Sequence, residues 1–309
     1  MSFSTDVKEE LLKRTDNARK SQIAELAAIL AACATIRREK GGIYKLILAT
    51  ENPYVVQDYE TLIIQLFDVD EEQLDYKADG PKEPLYLTMS DQDKVKKILM
   101  AVKWMDPKTF HVTPVFVHDI LIQSDAEKKA FLRGLFLACG SITDPNKSYH
   151  FELVLTSEED AKEAVEQLAF FHLDAHYVLR KKSYVVYLKE LSQIADALNI
   201  CGAYVSQMEL MNISILKEMR NNVNRRVNCE TANLNKTVEA AVRQIQAIEK
   251  IESTIGIENL KSNLQEIARL RIQYPDMSLT DLGGLLDPPV GKSGINHRLR
   301  KICEIAEEL

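Results

Sequence analysis

Between Lys292 and Lys301 the chain carries four fixed positive charges, Lys292, Arg298, Arg300 and Lys301, and no acid. Ser293, Asn296 and His297 stand among them. That mixture suits double-stranded DNA: ammonium and guanidinium groups neutralise phosphates, while Asn, Ser and Arg reach base edges in the major groove. Ile295, Leu299, Ile302 and Ala306, at steps of four, three and four, give the segment one apolar face. It therefore reads as a helix starting near Lys292 or Ser293, with a polar, cationic side turned away from a core. An open helix N-terminus adds partial positive charge toward a phosphate. Neutralising about four to six phosphates implies a log–log salt slope of roughly −4 to −5. The candidate DNA-binding residues are thus Lys292, Ser293, Asn296, His297, Arg298, Arg300 and Lys301. A solvated basic face is the competing account, and the residues just upstream weigh against it.

Those residues set up the geometry such a helix needs. Ser278-Leu-Thr-Asp281 has the form of a capping box, with Ser at N-cap and an acid at N3, ahead of apolar Leu282, Leu285 and Leu286. Asp287-Pro-Pro-Val-Gly291 cannot continue that helix, because Pro288 and Pro289 lack amide hydrogens and fix φ. A short helix, a tight turn and a cationic second helix make a helix-turn-helix. Gly291-Lys-Ser293 is not a phosphate loop, since the required first Gly falls at Leu286 and a helix precedes it instead of a strand. Further upstream, Leu260, Leu264, Ile267 and Leu270 mark a helix that stops near Pro275. Leu234, Val238, Ala241, Ile245 and Ile248 mark another, with one apolar seam expected to pack on a neighbouring domain. Before it lies an Asn-rich stretch, 221–233, with Arg225 and Arg226, and with Lys217 and Arg220 nearby. Asparagines cap helices and accept turn conformations, so both a structural linker and a hinge whose Arg225 and Arg226 make secondary DNA contacts fit this stretch.

The larger part of the chain is different in charge and pattern. The net charge is −7, yet residues 219–309 carry +1, which leaves −8 on residues 1–218. Acidity of that size argues against a nucleic-acid sleeve over the whole surface but leaves room for a compact basic patch. Residues 24–36 and 130–142 align without gaps at an offset of 106, pairing Leu26 with Leu132 and Cys33 with Cys139. Residues 44–51 and 151–158 repeat at 107. A repeat of this length means a duplicated domain, not a solenoid. Each half reads as helix, two strands, helix, two strands, helix: about 21–35, a strand before and one at 43–50, 53–67, 74–79 with 84–89, and 91–102 in the first half. The second half gives 126–139, a strand at 150–156, 158–171, 175–181 with 183–188, and 190–198. The fold class is therefore α+β, a pseudo-symmetric duplicated αββαββα body followed by an all-α helix-turn-helix domain. The expected domains are 1–218 (halves about 1–115 and 120–218), an Asn/Arg-rich linker and amphipathic helix at 219–254, and the helix-turn-helix at 255–309. Small residues in both lead helices (Ala27, Ala28, Ala31 and Ala32; Gly134, Ala138 and Gly140) allow close backbone approach, so these helices are expected to pair as a central dyad.

At this point the sequence resembles known families. Gly134-Leu-Phe-Leu-Ala-Cys-Gly140 looks like a worn LAGLIDADG motif, the helix of a class of homing endonucleases. In those enzymes an acid before the last Gly holds the catalytic metal near the dyad. Here that position is Cys139, with Cys33 as its repeat mate, and the other motif carboxylate falls at Leu137 and Ala31. Metal-assisted phosphodiester cleavage needs hard oxygen ligands there. The resemblance thus implies the fold and argues against the nuclease. Over nearly its whole length the chain resembles the WhiA family of cell-division and sporulation regulators of Gram-positive bacteria, a degenerate homing-endonuclease domain joined to a helix-turn-helix. The match is carried by 131–145, 224–233 and the run from Ser278 through Arg300. It implies a cytoplasmic, nucleoid-associated transcriptional regulator tied to cell division, sporulation and chromosome segregation, with double-stranded DNA and other regulatory proteins as partners.

Other residue types narrow the classes. Five scattered cysteines with no CxxC spacing read as free thiols in a reducing compartment, without a zinc site. The N-terminus has no signal-peptide pattern, and the longest apolar stretch, Ile23–Ile36, carries Glu25 and is too short to span a bilayer. His172 and His176 lack a third ligand at suitable spacing and read as a helix–strand junction. Arg37, Arg38 and Lys40, and Arg180-Lys-Lys182, read as surface charge on strands or their turns, and Trp104 as packing. No catalytic, cofactor-binding or metal residues are assigned. Two other classes stay in view: a nuclease recruiting metal through Asp144 or Asp125, and a protein-interaction scaffold.

Overall fold

The computed structural model describes residues 2–13, 18–78 and 84–309, which fall into two compact units, Met1–Lys217 and Glu218–Leu309. In the first unit the sequence repeat is a repeat of structure. An N-terminal helix α1 (Phe3–Leu12) precedes α2 (Arg19–Cys33), β1 (Ala34–Arg38), β2 (Tyr44–Thr50), α3 (Pro53–Phe67), β3 (Leu74–Ala78), β4 (Leu85–Met89) and α4 (Gln92–Ala101). The order recurs as α5 (Asp125–Cys139), β5 (Gly140–Ile142), β6 (Phe151–Leu155), α6 (Glu158–Phe170), β7 (His176–Arg180), β8 (Ser183–Leu188) and α7 (Leu191–Cys201). Each half forms an antiparallel four-stranded sheet, in the orders β1-β2-β4-β3 and β5-β6-β8-β7. Expected and observed elements agree closely, and Asp79, the expected end of one strand, lies outside the described residues.

Local chemistry accounts for the boundaries. Asn52 caps α3 ahead of Pro53, whose missing N–H costs nothing in a first turn. Ser124 and Glu127 form a reciprocal capping box on α5. Alternation does the rest: Leu46, Leu48 and Thr50 of β2, and Phe151, Leu153 and Leu155 of β6, turn one sheet face to the core. Cross-strand pairs such as Leu48–Leu87 and Leu153–Val186 tie the central strands together.

The lead helices α2 and α5 pack on each other, as their small residues required. A Cβ on Gly134 would stand 2.5 Å from the Glu25 carbonyl oxygen, so only glycine permits this approach. Glu25 and Arg133, each 5% exposed, face one another in the interface. Arg133 donates through Nε and Nη2 to the two Glu25 carboxylate oxygens, both at 2.6 Å. Around them Ile29, Leu30, Phe131 and Leu135 are wholly buried.

A single 51-residue helix, α8 (Tyr204–Thr254), follows. The Asn-rich stretch expected as a linker is therefore helical, and none of its asparagines has positive φ. The apolar seam is half corrected as well. Leu234 and Val238 are exposed, whereas Ile248 and Ile251 are buried, because the second unit's helices packed on α8 reach only its C-terminal turns. Those are α9 (Ser262–Gln273), α10 (Leu279–Gly284) and α11 (Lys292–Glu308). No helix of the described residues is long and apolar enough to cross a membrane, and all five cysteines are free.

Candidate nucleic-acid interface

The second unit builds its site on a small core. Leu264 and Ile267 of α9, Leu282 of α10, and Ile295, Leu299, Ile302 and Ala306 of α11 close around Ile248 and Ile251. The apolar face of α11 is thus the one its spacing required. Ser278 caps α10: its Oγ accepts from the Asp281 N–H at 3.3 Å and donates to Asp281 Oδ2 at 2.7 Å. The acid answers the hydroxyl in place of the backbone N–H of a full capping box. Arg271, 3% exposed, donates from Nη1 to the carbonyls of Pro275 and Met277, fixing the turn before α10; burial pulls its pKa down.

The turn between α10 and α11 depends on Gly283. Its carbonyl accepts from the Val290 N–H at 3.0 Å, and a Cβ there would lie 1.9 Å from the Val290 carbonyl oxygen. Gly283 had no role in the sequence reading; the Gly283-Gly284 pair beside a helix end was the available signal. Gly291 is the N-cap of α11, and no side chain caps the helix, which leaves its first-turn N–H groups open.

Of the seven candidate residues, Lys292, Ser293, Asn296, His297, Arg300 and Lys301 are exposed and Arg298 is half-buried. At 100° per residue, Ser293, His297 and Lys301 line the side opposite the core, with Arg300 beside them. Lys292 with Asn296 and Arg298 fall on opposite flanks. Arg298 Nη1 donates to the Asn263 carbonyl on α9 at 3.4 Å, which holds that flank. One partner was missed. Glu304, one turn beyond the acid-free stretch, accepts from Arg300 Nε and Lys301 Nζ, each at 3.1 Å. The hydrogen bond from Lys301 holds its carboxyl below the ordinary glutamate value. Arg225 and Arg226 stand exposed on α8, away from any partner among the described residues.

In the first unit, the ends of α2 and α5 carry Cys33 and Cys139 on a cavity of about 900 Å³ that is also lined by Lys8, Thr50, Asn52 and Ser141. Burial pushes the Cys33 thiol up to about 11 and the Cys139 thiol up to about 12. Lys8 donates to the Leu137 carbonyl at 3.0 Å, and burial lowers its pKa. Beside the two thiols and the ammonium group the lining holds a single carboxylate, Glu51, too few hard oxygen ligands for a divalent cation. Among the described residues no three His, Cys, Asp or Glu side chains gather where they could hold a metal. Asp144 is half-buried and accepts from the Asn146 N–H at 2.9 Å, and Asp125 is exposed in the first turn of α5. His172 has φ 62 in the turn after α6, and Trp104 is buried with its indole N–H on the Val115 carbonyl, both as their sequence context indicated.

A duplicated αββαββα body of LAGLIDADG type, without the motif's acids, and a helix-turn-helix unit define a two-part class of protein. Family models agree: residues 128–220 match the WhiA LAGLIDADG-like domain and residues 223–306 the WhiA C-terminal HTH domain. The chain is 49% identical to a probable cell division protein WhiA of Lachnospira eligens, covering 100% of this chain and 98% of that one. It is 47% identical to another from Lachnoclostridium phytofermentans, covering 100% and 99%. A full-length DUF199/WhiA crystal structure from Thermatoga maritima superposes with a TM-score of 0.61 at 25% identity, over 100% of this chain and 99% of that one. This chain belongs to the WhiA family.

Proposed function

We propose that the protein is a non-enzymatic DNA-binding transcriptional regulator acting in cell division and chromosome segregation, in the cytoplasm at the nucleoid. The observation that carries this reading is the face of α11: exposed Lys292, Arg300 and Lys301 with Ser293, Asn296 and His297, half-buried Arg298 on one flank, and an uncapped N-terminus. Lys292, Arg298, Arg300 and Lys301 take phosphates, and Ser293, Asn296 and His297 reach base edges. Arg225 and Arg226 supply secondary contacts. In this division of labour residues 1–218 modulate binding or dock other regulatory proteins, 219–254 connect, and 255–309 hold the DNA. The loss of cutting follows from Cys33 and Cys139 at the places where the resembled nucleases keep metal-binding acids.

Chromatin immunoprecipitation with sequencing tests the reading, together with plasmid incubation in Mg²⁺ or Mn²⁺. The expected result is a set of sites sharing a short sequence, with the plasmid left intact. Absence of enrichment over a mock sample, or cleavage abolished by chelation, would overturn it.

A further inference from the structure

From Glu218 to Glu239 every residue of α8 is exposed, so nothing in the chain's own packing accounts for this stretch. Its composition is also poor for a free-standing helix. Asn occupies 221, 222, 224, 228, 233 and 235, and Asn side chains compete with the helix for backbone hydrogen bonds. These residues are not there for helical stability.

Helical spacing sorts them. Asn221, Asn224, Asn228, Thr231 and Asn235 follow at steps of three and four and make one amide-and-hydroxyl stripe. Met219, Val223, Val227, Leu234 and Val238 make a separate apolar stripe. Arg225 and Lys236 border the Asn stripe on one side and Arg220 on the other. Glu230 is the sole acid between Arg220 and Lys236, and it projects from the far side of the helix. No side-chain hydrogen bond or ion pair occupies the stripe's asparagines or these three cations among the described residues. Asn233, off the stripe, donates to Cys229 Sγ at 3.8 Å.

We propose that residues 220–236 of α8 form a second surface that reads double-stranded DNA. An Asn carboxamide pairs with the N6 and N7 edge of adenine in a major groove, and Arg220, Arg225 and Lys236 meet the phosphates on either side. A continuous helix lying in the major groove is an attested docking mode, and Asn221 to Asn235 span about 21 Å, enough to reach several successive base pairs. Arg226 lies opposite the stripe, so the secondary contact assigned to it above falls outside this surface. Charge complementarity selects DNA over a protein partner for this face, because it is cationic and acid-free along its whole length. The role rests on duplex DNA being the partner, as in the reading of α11, and adds adenine-containing sequence to what is recognised.

The test uses the full chain with Asn221→Ala, Asn224→Ala, Asn228→Ala and Asn235→Ala combined. Alanine is the better helix former, so the helix and the melting temperature are retained or improved. Fluorescence anisotropy would compare a duplex recovered by immunoprecipitation of the wild type with a random duplex of equal length. The expected result is a loss of tenfold or more on the recovered duplex, little change on the random one, and an unchanged salt slope. A second variant, Arg220→Gln with Arg225→Gln and Lys236→Gln, should flatten the salt slope by roughly 2–3. Wild-type affinity and slope in both variants would overturn the proposal. If a Lys292→Ala/Arg300→Ala chain still loses binding, the reading of α11 survives that failure. If that chain binds normally while the α8 variants do not, the reading of α11 falls and the α8 surface stands.

Discussion

Replacing Gly134 by alanine sets two effects against each other. Alanine is favoured over glycine inside a helix by about 1 kcal/mol, so a free α5 would gain. In the dyad the new Cβ would sit 2.5 Å from the Glu25 carbonyl oxygen and 3.2 Å from the Ala28 Cβ. A carbon–oxygen contact relaxes near ~3.3 Å, so α2 and α5 must part by roughly 0.8 Å at this turn. The atom in the way belongs to backbone and cannot rotate aside. Separation loosens the contacts of Ile29, Phe131 and Leu135, each 0% exposed, and strains the Glu25–Arg133 pair held at 2.6 Å. Overpacking of this kind costs about 3 kcal/mol, which leaves a net loss of about 2 kcal/mol after the propensity gain. For a unit of this size that is a melting temperature lower by roughly 4–8 °C, read by calorimetry or circular dichroism. Gly284→Ala is the control, since a Cβ there meets nothing within 4 Å. A Gly134→Ala chain that melts with or above the wild type would refute the close dyad.

Glu304→Gln should free Arg300 and Lys301 for phosphate, raising DNA affinity several-fold and steepening the salt slope by about 1 in anisotropy titrations. Because the Glu304 carboxyl is held below its ordinary value, its two pairs are complete at neutral pH and are lost only as pH falls through that lowered value. Arg133→Met leaves Glu25 buried without its cation, beside Asp58, whose own carboxyl is pushed up by burial and then by Glu25. The expected loss is about 3–5 kcal/mol in a urea titration, and a loss under 1 kcal/mol would contradict a desolvated pair. Iodoacetamide at pH 8 should modify exposed Cys229 and spare Cys33 and Cys139, whose thiols ionise only near pH 11 and 12. Labelling of all three at similar rates by mass spectrometry would count against the raised thiols of Cys33 and Cys139.

Much of this architecture was legible because its signals are local. The gapless repeat fixes α2 on α5, the Tyr/Val richness of Ser183–Leu188 marks a strand, and the steps of four, three and four define the buried face of α11. What escaped notice depends on other signals. Helix α1 places Phe3, Val7 and Leu11 at steps of four after an N-cap Ser2, a pattern short enough to pass as a tail. The Asn-rich run reads as a linker by propensity, yet it is carried inside α8, whose neighbouring turns are strong helix formers. Glu25 and Arg133 are the sole charges in the apolar runs 23–33 and 130–139, but only the dyad brings them face to face. Gly283 is demanded by a carbonyl seven residues away, and Glu304 counts only once the helix turns it toward Arg300 and Lys301.

The central claim is that α11 holds duplex DNA, and the salt dependence of binding by the Lys292→Ala/Arg300→Ala chain tests it most directly. Measured by anisotropy against the wild type, affinity near 0.1 M salt should fall at least tenfold, and the slope of about −4 to −5 should shrink by about 2. A variant that binds as tightly as the wild type, with the same slope, would contradict it.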